Sequence, residues 1–216
     1  MAAAPPSEFP PYPAARLEAR GLTLARGDRV LAENLTFSLD GGDALLVRGP
    51  NGAGKSTLLR VLAGFTPYPE GELKLSLATL EAEPGEAVAY LGHADGVRRT
   101  ETPRAHLTFI ARWLGADLAR VPAALAAFRL EPIADAPARR LSAGQRRRAA
   151  LARFVAAPRP IWLLDEPAAP LDAAGRVVLA ALVDAHRAAG GVVIAAVHDE
   201  PDWGEVATLA IEDFAS

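Results

Sequence analysis

The run Gly49-Pro50-Asn51-Gly52-Ala53-Gly54-Lys55-Ser56 decides how this chain folds. It fits the pattern G-x-x-x-x-G-K-[ST] in full. The residue types follow from the chemistry of holding a phosphate. Successive backbone N–H groups must wrap the anion, and glycine lets the chain curl closely enough to do so. Lys55 adds a point charge, and the Ser56 hydroxyl is a hard oxygen ligand for Mg²⁺. The flanks agree with this reading. Ala44-Leu45-Leu46-Val47 is a short apolar run leading into the loop, and Lys55 to Ala63 carries Leu58, Leu59 and Leu62 at helical spacing before a stop at Gly64. A strand, a glycine loop and a helix in that order aim the positive end of the helix at the same phosphate. Gly49 to Thr57 is therefore the expected nucleotide-binding segment.

A second constellation lies far downstream. Ile161-Trp162-Leu163-Leu164 is apolar at every position and ends in Asp165-Glu166. Such a run fits a strand covered on both faces of a parallel sheet, and the carboxyl end of such a strand is where ligands sit. Asp165 is placed to hold the magnesium shell, and Glu166 to orient or deprotonate an attacking water. Val192-Val193-Ile194-Ala195-Ala196-Val197 is a similar run, and His198 follows it. His198 could reach the terminal phosphate and hold the water, although a lone histidine is more often structural.

Between these landmarks the chain changes character. Leu17 to Leu39 alternates and is punctuated by Arg26-Gly27-Asp28-Arg29, which predicts two strands joined by a turn. Leu73 to Leu80 alternates again, as a half-buried strand does. From about 97 to 149 the chain is rich in alanine, leucine and arginine, with prolines at 103, 122, 132 and 137 acting as breakers. This segment predicts a few short helices, an α-helical subdomain inserted into the sheet domain. A helix follows Ser142 as far as Ala157, and another runs from Ala173 to Ala189. Residues 1–16 are proline-rich and predict a flexible extension, with one folded domain over 17–216.

The chain has 216 residues, a net charge of −3 and no cysteine. Disulfides, thiolate nucleophiles and Cys-ligated metals are excluded. No apolar run reaches the roughly 18 residues of a membrane span, so direct insertion into a bilayer is not expected. The clusters Arg98-Arg99, Arg139-Arg140 and Arg146-Arg147-Arg148 are scattered and lack interleaved aromatics, so they read as solvated helix faces and salt-bridge partners rather than a nucleic-acid surface. His106 and His186 read as structural. Phe109 and Trp113, four residues apart, read as core or as a docking surface.

Leu141-Ser142-Ala143-Gly144-Gln145 resembles the signature sequence of the ATP-binding cassette family, with alanine at a position often glycine. The resemblance spans roughly Leu17 to Phe214, and the motifs come in the family order. It implies an α/β fold, a P-loop NTPase (RecA-like) core with an antiparallel β layer and the helical subdomain. It also implies ATP as substrate with Mg²⁺ held through Ser56 and Asp165, Glu166 and His198 as catalytic residues, and Asp172 in the loop after the acid pair. The signature of one copy would cap the ATP held by the phosphate loop of a second copy, so the expected unit is a dimer. Tyr90-Leu91-Gly92-His93-Ala94-Asp95-Gly96 is similar to one branch, the haem-exporter ATPases of cytochrome c biogenesis, where His93 stands in place of the usual glutamine. That branch implies integral membrane subunits of a haem exporter complex as partners, at the cytoplasmic face of a bacterial inner membrane, and makes His93 a third catalytic candidate that could hold water.

Two departures from the family pattern stand out. No aromatic for adenine stacking is present near Arg26 to Arg29, where an arginine plane could stack instead. The loop after the acid pair reads Ala169-Pro170-Leu171-Asp172 and lacks a usual hydroxyl. Other functions remain open at this stage: a small cassette for lipid, lipoprotein or peptide handling, or a soluble cassette acting on nucleic acid or ribosomes.

Overall fold

The computed structural model describes residues 9–78 and 80–215. The chain divides into two compact units. One is built from Pro11–Tyr90, Arg159–Glu166 and the chain from His186 onward. Its first sheet is antiparallel, with β1 (Ala15–Arg26) pairing on one side with β2 (Arg29–Asp40) and on the other with β4 (Glu72–Leu77), which pairs in turn with β5 (Leu80–Glu81). The second sheet has the order β6 (Val88–Leu91), β7 (Ile161–Asp165), β8 (Val192–Ala196), β3 (Ala44–Arg48), β9 (Ala207–Ala210), and the pairings β7–β8, β8–β3 and β3–β9 are parallel. Helix α1 (Lys55–Leu62) packs on β1, β7 and β8. Leu17, Leu22, Leu24, Leu58, Leu62, Leu163 and Ile194 meet in one core with no solvent exposure, which is the arrangement two apolar sheet faces require. A short helix α2 (Pro84–Ala87) precedes β6.

The other unit contains Leu91–Pro158 and Pro167–Ala185. In it α3 (Pro103–Trp113), α4 (Arg120–Ala127) and α5 (Ala143–Ala156) pack on one another around Leu107, Ala124, Phe128, Ala150 and Phe154. Helix α6 (Ala173–Ala188) begins in this unit and ends in the first. The prolines expected to break helices here start them instead. Pro103 opens α3 behind Thr102, whose hydroxyl accepts from Ala105 N at 3.2 Å, and Pro132 lies in a 3-10 turn over Glu131–Ile133. A proline at the first turn loses no helical hydrogen bond and has its φ already set.

Two further expectations are corrected. The alternating run from Leu73 does not continue as one strand to Leu80. Ala78 takes a left-handed φ of 56°, and β5 pairs back antiparallel on β4. The expected flexible extension lies outside the described residues only over its first eight. Beyond them Phe9 is buried, Tyr12 N–H donates to Ala189 O at 2.9 Å, and β1 already begins at Ala15.

Tyr12 is anchored by a buried aromatic stack. The His186 ring lies flat on Trp162 with centroids 3.8 Å apart, and Tyr12 meets His186 edge-on. His186 Nε2 faces the Val192 carbonyl at 3.3 Å, which places the ring proton there and leaves Nδ1 to accept from the Tyr12 hydroxyl at 3.2 Å. Burial pushes the His186 pKa down to about 3, against the partial opposition of the Val192 and Pro160 carbonyls. A histidine depressed in the folded state stabilises the fold fully above its unfolded value of 6.5, and the contribution is lost as pH falls from 6.5 toward 3. Thermal melting of wild type should therefore show a loss of about 2 kcal/mol between pH 7 and pH 5 from this residue, which His186→Phe removes. Parallel pH slopes for the two proteins would contradict the assignment.

Candidate active site

The parallel register sets out the site. Val47 on β3 pairs with Ala196 on β8, and Ala196 pairs with Asp165 on β7. Three strands therefore end abreast, and the phosphate loop, the acid pair and His198 all emerge from one edge of the sheet.

The loop is shaped by left-handed glycines. Gly49 has φ 143°, and a Cβ there would come within 2.5 Å of Glu212 Oε2 and 2.8 Å of Ile211 Cγ2. Gly54, at φ 112°, caps α1 without any side chain, so the first N–H groups of the helix keep their donor capacity for a ligand. Lys55 is only 7% exposed, and its ammonium donates to Gly49 O at 2.5 Å and Pro50 O at 3.0 Å. The charge is thus held inside the curl of the loop. Ser56 is half-buried beside it, and the Thr57 hydroxyl accepts from Arg26 Nη2 at 3.5 Å.

Asp165 closes the fully buried strand β7 and is itself 4% exposed. Glu166 follows with φ 47°, a conformation that costs a non-glycine residue energy and clusters at functional sites. Its N–H donates to Ala196 O at 2.9 Å, which ties the turn to β8. His198 Nε2 then lies 2.9 Å from Glu166 Oε1. The structure therefore brings Lys55, Ser56, Asp165, Glu166 and His198 into one unit, and pairs the last two directly.

The remaining sequence candidates belong to the other unit. His93 is exposed in the bend after β6. Ser142 caps α5 in a reciprocal capping box: its hydroxyl accepts from Gln145 N at 3.1 Å, and Gln145 Oε1 accepts from Ser142 N at 2.8 Å. Leu141 is buried, Ala143 is exposed, and a Cβ on Gly144 would approach Pro170 O at 3.0 Å. Asp172 Oδ1 accepts from Gly175 N at 2.8 Å in the first turn of α6.

Two features escaped the sequence reading. Ile211 and Glu212 back the phosphate loop at Gly49, and Ile211 also touches the Gly54 position. Arg147 is not a solvated arginine: it is 1% exposed. Neither has a periodic signature that could have revealed it. Arg26 lines a cavity of about 530 Å³ together with Thr57, Arg60 and Tyr68, so an arginine and a tyrosine stand beside the first turn of α1.

Comparison with known proteins follows the same lines. The family model described as ABC transporter matches residues 32–169. The cytochrome c biogenesis ATP-binding export protein CcmA of Maricaulis maris is 48% identical over 187 residues, 87% of each chain. The protein of that name from Rhodospirillum rubrum is 43% identical over 210 residues, 96% of this chain and 90% of the relative. Among solved structures, an ABC transporter ATP-binding protein from Pyrococcus furiosus superposes with a TM-score of 0.80 at 23% identity, covering 93% of this chain and all of that one. A dimeric ATP-binding cassette bound to ADP and phosphate, in a post-hydrolysis state, gives 0.77 at 22% identity, covering 90% and 94%. These two likenesses bear out the α/β P-loop fold with its antiparallel layer.

Gly49→Ala tests the loop. Its Cβ has no room and its φ is unsuited to alanine, so fluorescent ATP-analogue binding should weaken at least tenfold, roughly the effect of 1.4 kcal/mol, while the folded fraction is kept. Unchanged binding would mean that the loop accommodates a side chain the geometry forbids.

Proposed function

The chain belongs to the ABC transporter family as one of its ATPase subunits, and we propose from this that it powers a haem-handling membrane complex in cytochrome c maturation. The observation that carries the catalytic part is the Glu166–His198 contact of 2.9 Å at the sheet edge that also presents Lys55. The relatives named CcmA, at 40–48% identity over most of this chain, support the cytochrome c part.

The roles follow from the geometry. The N–H groups of Gly49 to Thr57 and the Lys55 ammonium hold the phosphates. Glu166 takes up or orients the proton of the attacking water. His198, bonded to Glu166, fixes that carboxylate and faces the terminal phosphate, and His93 is a further candidate for holding water. Ser56, in the first turn of α1, and Asp165, at the end of β7, are hard oxygen donors and fit Mg²⁺. A magnesium ion bound with the nucleotide neutralises charge that develops on the phosphates.

A second copy completes the reaction. The side chains of Ser142 and Gln145 each accept from the other's backbone N–H, so the start of α5 offers its remaining N–H groups outward, and Leu141 to Gln145 cap the ATP held by the other copy. Asp172 lies along the same dimer face. The dimer in the post-hydrolysis neighbour supports this assembly. Among the described residues no helix is long and apolar enough to cross a membrane. Phe109 and Trp113 stack at 6.2 Å, and at 53% and 76% exposure they are not core. This exposed aromatic pair is suited to a helix of partner membrane subunits at the cytoplasmic side of a bacterial inner membrane.

Glu166→Gln should keep ATP binding and lower turnover on the order of 10²–10⁴-fold, trapping the closed dimer. Purified with ATP from native membranes in mild detergent, it should bring small polytopic proteins and a haem-carrying chaperone. Recovery of a different membrane pair would keep the ATPase and sink the haem assignment. Recovery of nucleic acid alone would sink both the membrane and the haem parts.

A further inference from the structure

We infer that Arg147 is a positioning residue for ATP hydrolysis, tying the signature helix to both sides of His93 and to the chain that follows Glu166. Arg147 lies in the second turn of α5 and is 1% exposed, whereas its neighbours Arg146 and Arg148 are half-buried. Its Nη1 donates to Gly92 O at 2.9 Å and lies 3.3 Å from Asp95 Oδ1. Its Nε donates to Pro167 O at 3.2 Å. All of these groups belong to one compact unit.

The placement of the acceptors carries the argument. Gly92 precedes His93 directly and Asp95 follows it by two residues, so the backbone is held on either side of that histidine. Pro167 is the first residue after Glu166 and opens the loop to Asp172. Further along that loop, Pro170 O lies where a Cβ on Gly144 would approach it within 3.0 Å, so the loop runs against the signature turn itself. One guanidinium thus joins its own helix to two segments that are 55 and 20 residues away in sequence.

Burying a guanidinium carries a large desolvation cost, and an apolar side chain of similar volume would fill the space without it. Filling space therefore does not explain an arginine here. Its planar fork does, because donors in fixed directions can meet a carbonyl from each of two segments at once, and charge-assisted bonds to carbonyls are short and directional. An ammonium has neither the reach nor the plane. When the signature turn shifts on dimer closure, Arg147 carries the His93 segment and the Asp172 loop with it. The acceptors Gly92, Asp95 and Pro167 lie outside the Gly49 to Thr57 loop, so the expected effect falls on turnover more than on nucleotide affinity.

The inference rests on ATP hydrolysis by this chain and not on the haem assignment. The test uses the full chain in its membrane complex, with Arg147→Met, which keeps volume, and Arg147→Lys, which keeps charge. For both, kcat should fall about tenfold or more, as misplacement of reacting groups does, with KM for ATP and fluorescent-analogue binding within about twofold of wild type. Wild-type kcat in a folded Arg147→Met protein would overturn the inference. So would full rescue by lysine, or a parallel loss of kcat and binding that follows the melting curve. If Arg147→Met does not fold, Arg147→Lys and Asp95→Asn decide: reduced kcat at unchanged KM in both supports the tie, and wild-type kcat in both overturns it. A wild-type complex that fails to hydrolyse ATP, with Lys55→Ala binding nucleotide normally, would instead refute the ATPase reading itself.

Discussion

The register of three parallel strands governs the rest of this structure. Val47, Ala196 and Asp165 stand abreast, and each strand is buried up to that line. A buried strand tolerates a carboxylate only at its end, where partners and solvent can stabilise the charge. Asp165 therefore fixes where β7 must stop, and β8 and β3 are aligned with it. Three candidate segments then leave from the same edge: the glycine loop after β3, Glu166 after β7 and His198 after β8. The left-handed backbone of Glu166 is a consequence, because its N–H still bonds Ala196 O while its side chain turns to His198. Slipping β7 by one residue would drag Asp165 into an apolar sheet and part that pair.

The second unit follows a different rule. Its helices begin where side chains or prolines satisfy or remove the first N–H groups: Thr102 with Pro103 at α3, and the Ser142–Gln145 box at α5. The box uses one acceptor oxygen of each side chain, Ser142 Oγ and Gln145 Oε1, on the helix's own N–H groups and leaves the hydroxyl and amide donors of both available. The helix starts of the two units thus differ: α1 is capped by a glycine with no side chain, and α5 by a reciprocal side-chain box.

Much of this was legible in the sequence. The phosphate loop, the strands Ala44–Arg48, Ile161–Asp165 and Val192–Ala196, and the helix after Ser142 are written in local pattern and stand where the pattern places them. Three things were not legible, for physical reasons. The alternation after Leu73 continues through Leu80, but one left-handed residue, Ala78, turns it into a hairpin. Prolines in a helical region announce a boundary without saying which side of it the helix lies on, and here they open helices. Arg147 sits in a run of three arginines with no period to single it out, and its acceptors are backbone carbonyls, which carry no mark in sequence. The docking of Tyr12 on His186 is invisible for the same reason, since it joins residues 174 apart.

We propose that ATP turnover at Lys55 and Glu166 drives cytochrome c maturation. The most direct measurement replaces the chromosomal copy with Lys55→Ala in the source organism and compares c-type cytochromes, by covalent haem staining, with b-type cytochromes in the same membranes. The account predicts loss of covalently haem-loaded c-type cytochromes with b-type levels kept, restored by the wild-type gene supplied separately. Wild-type levels of c-type cytochromes in the Lys55→Ala strain would contradict it.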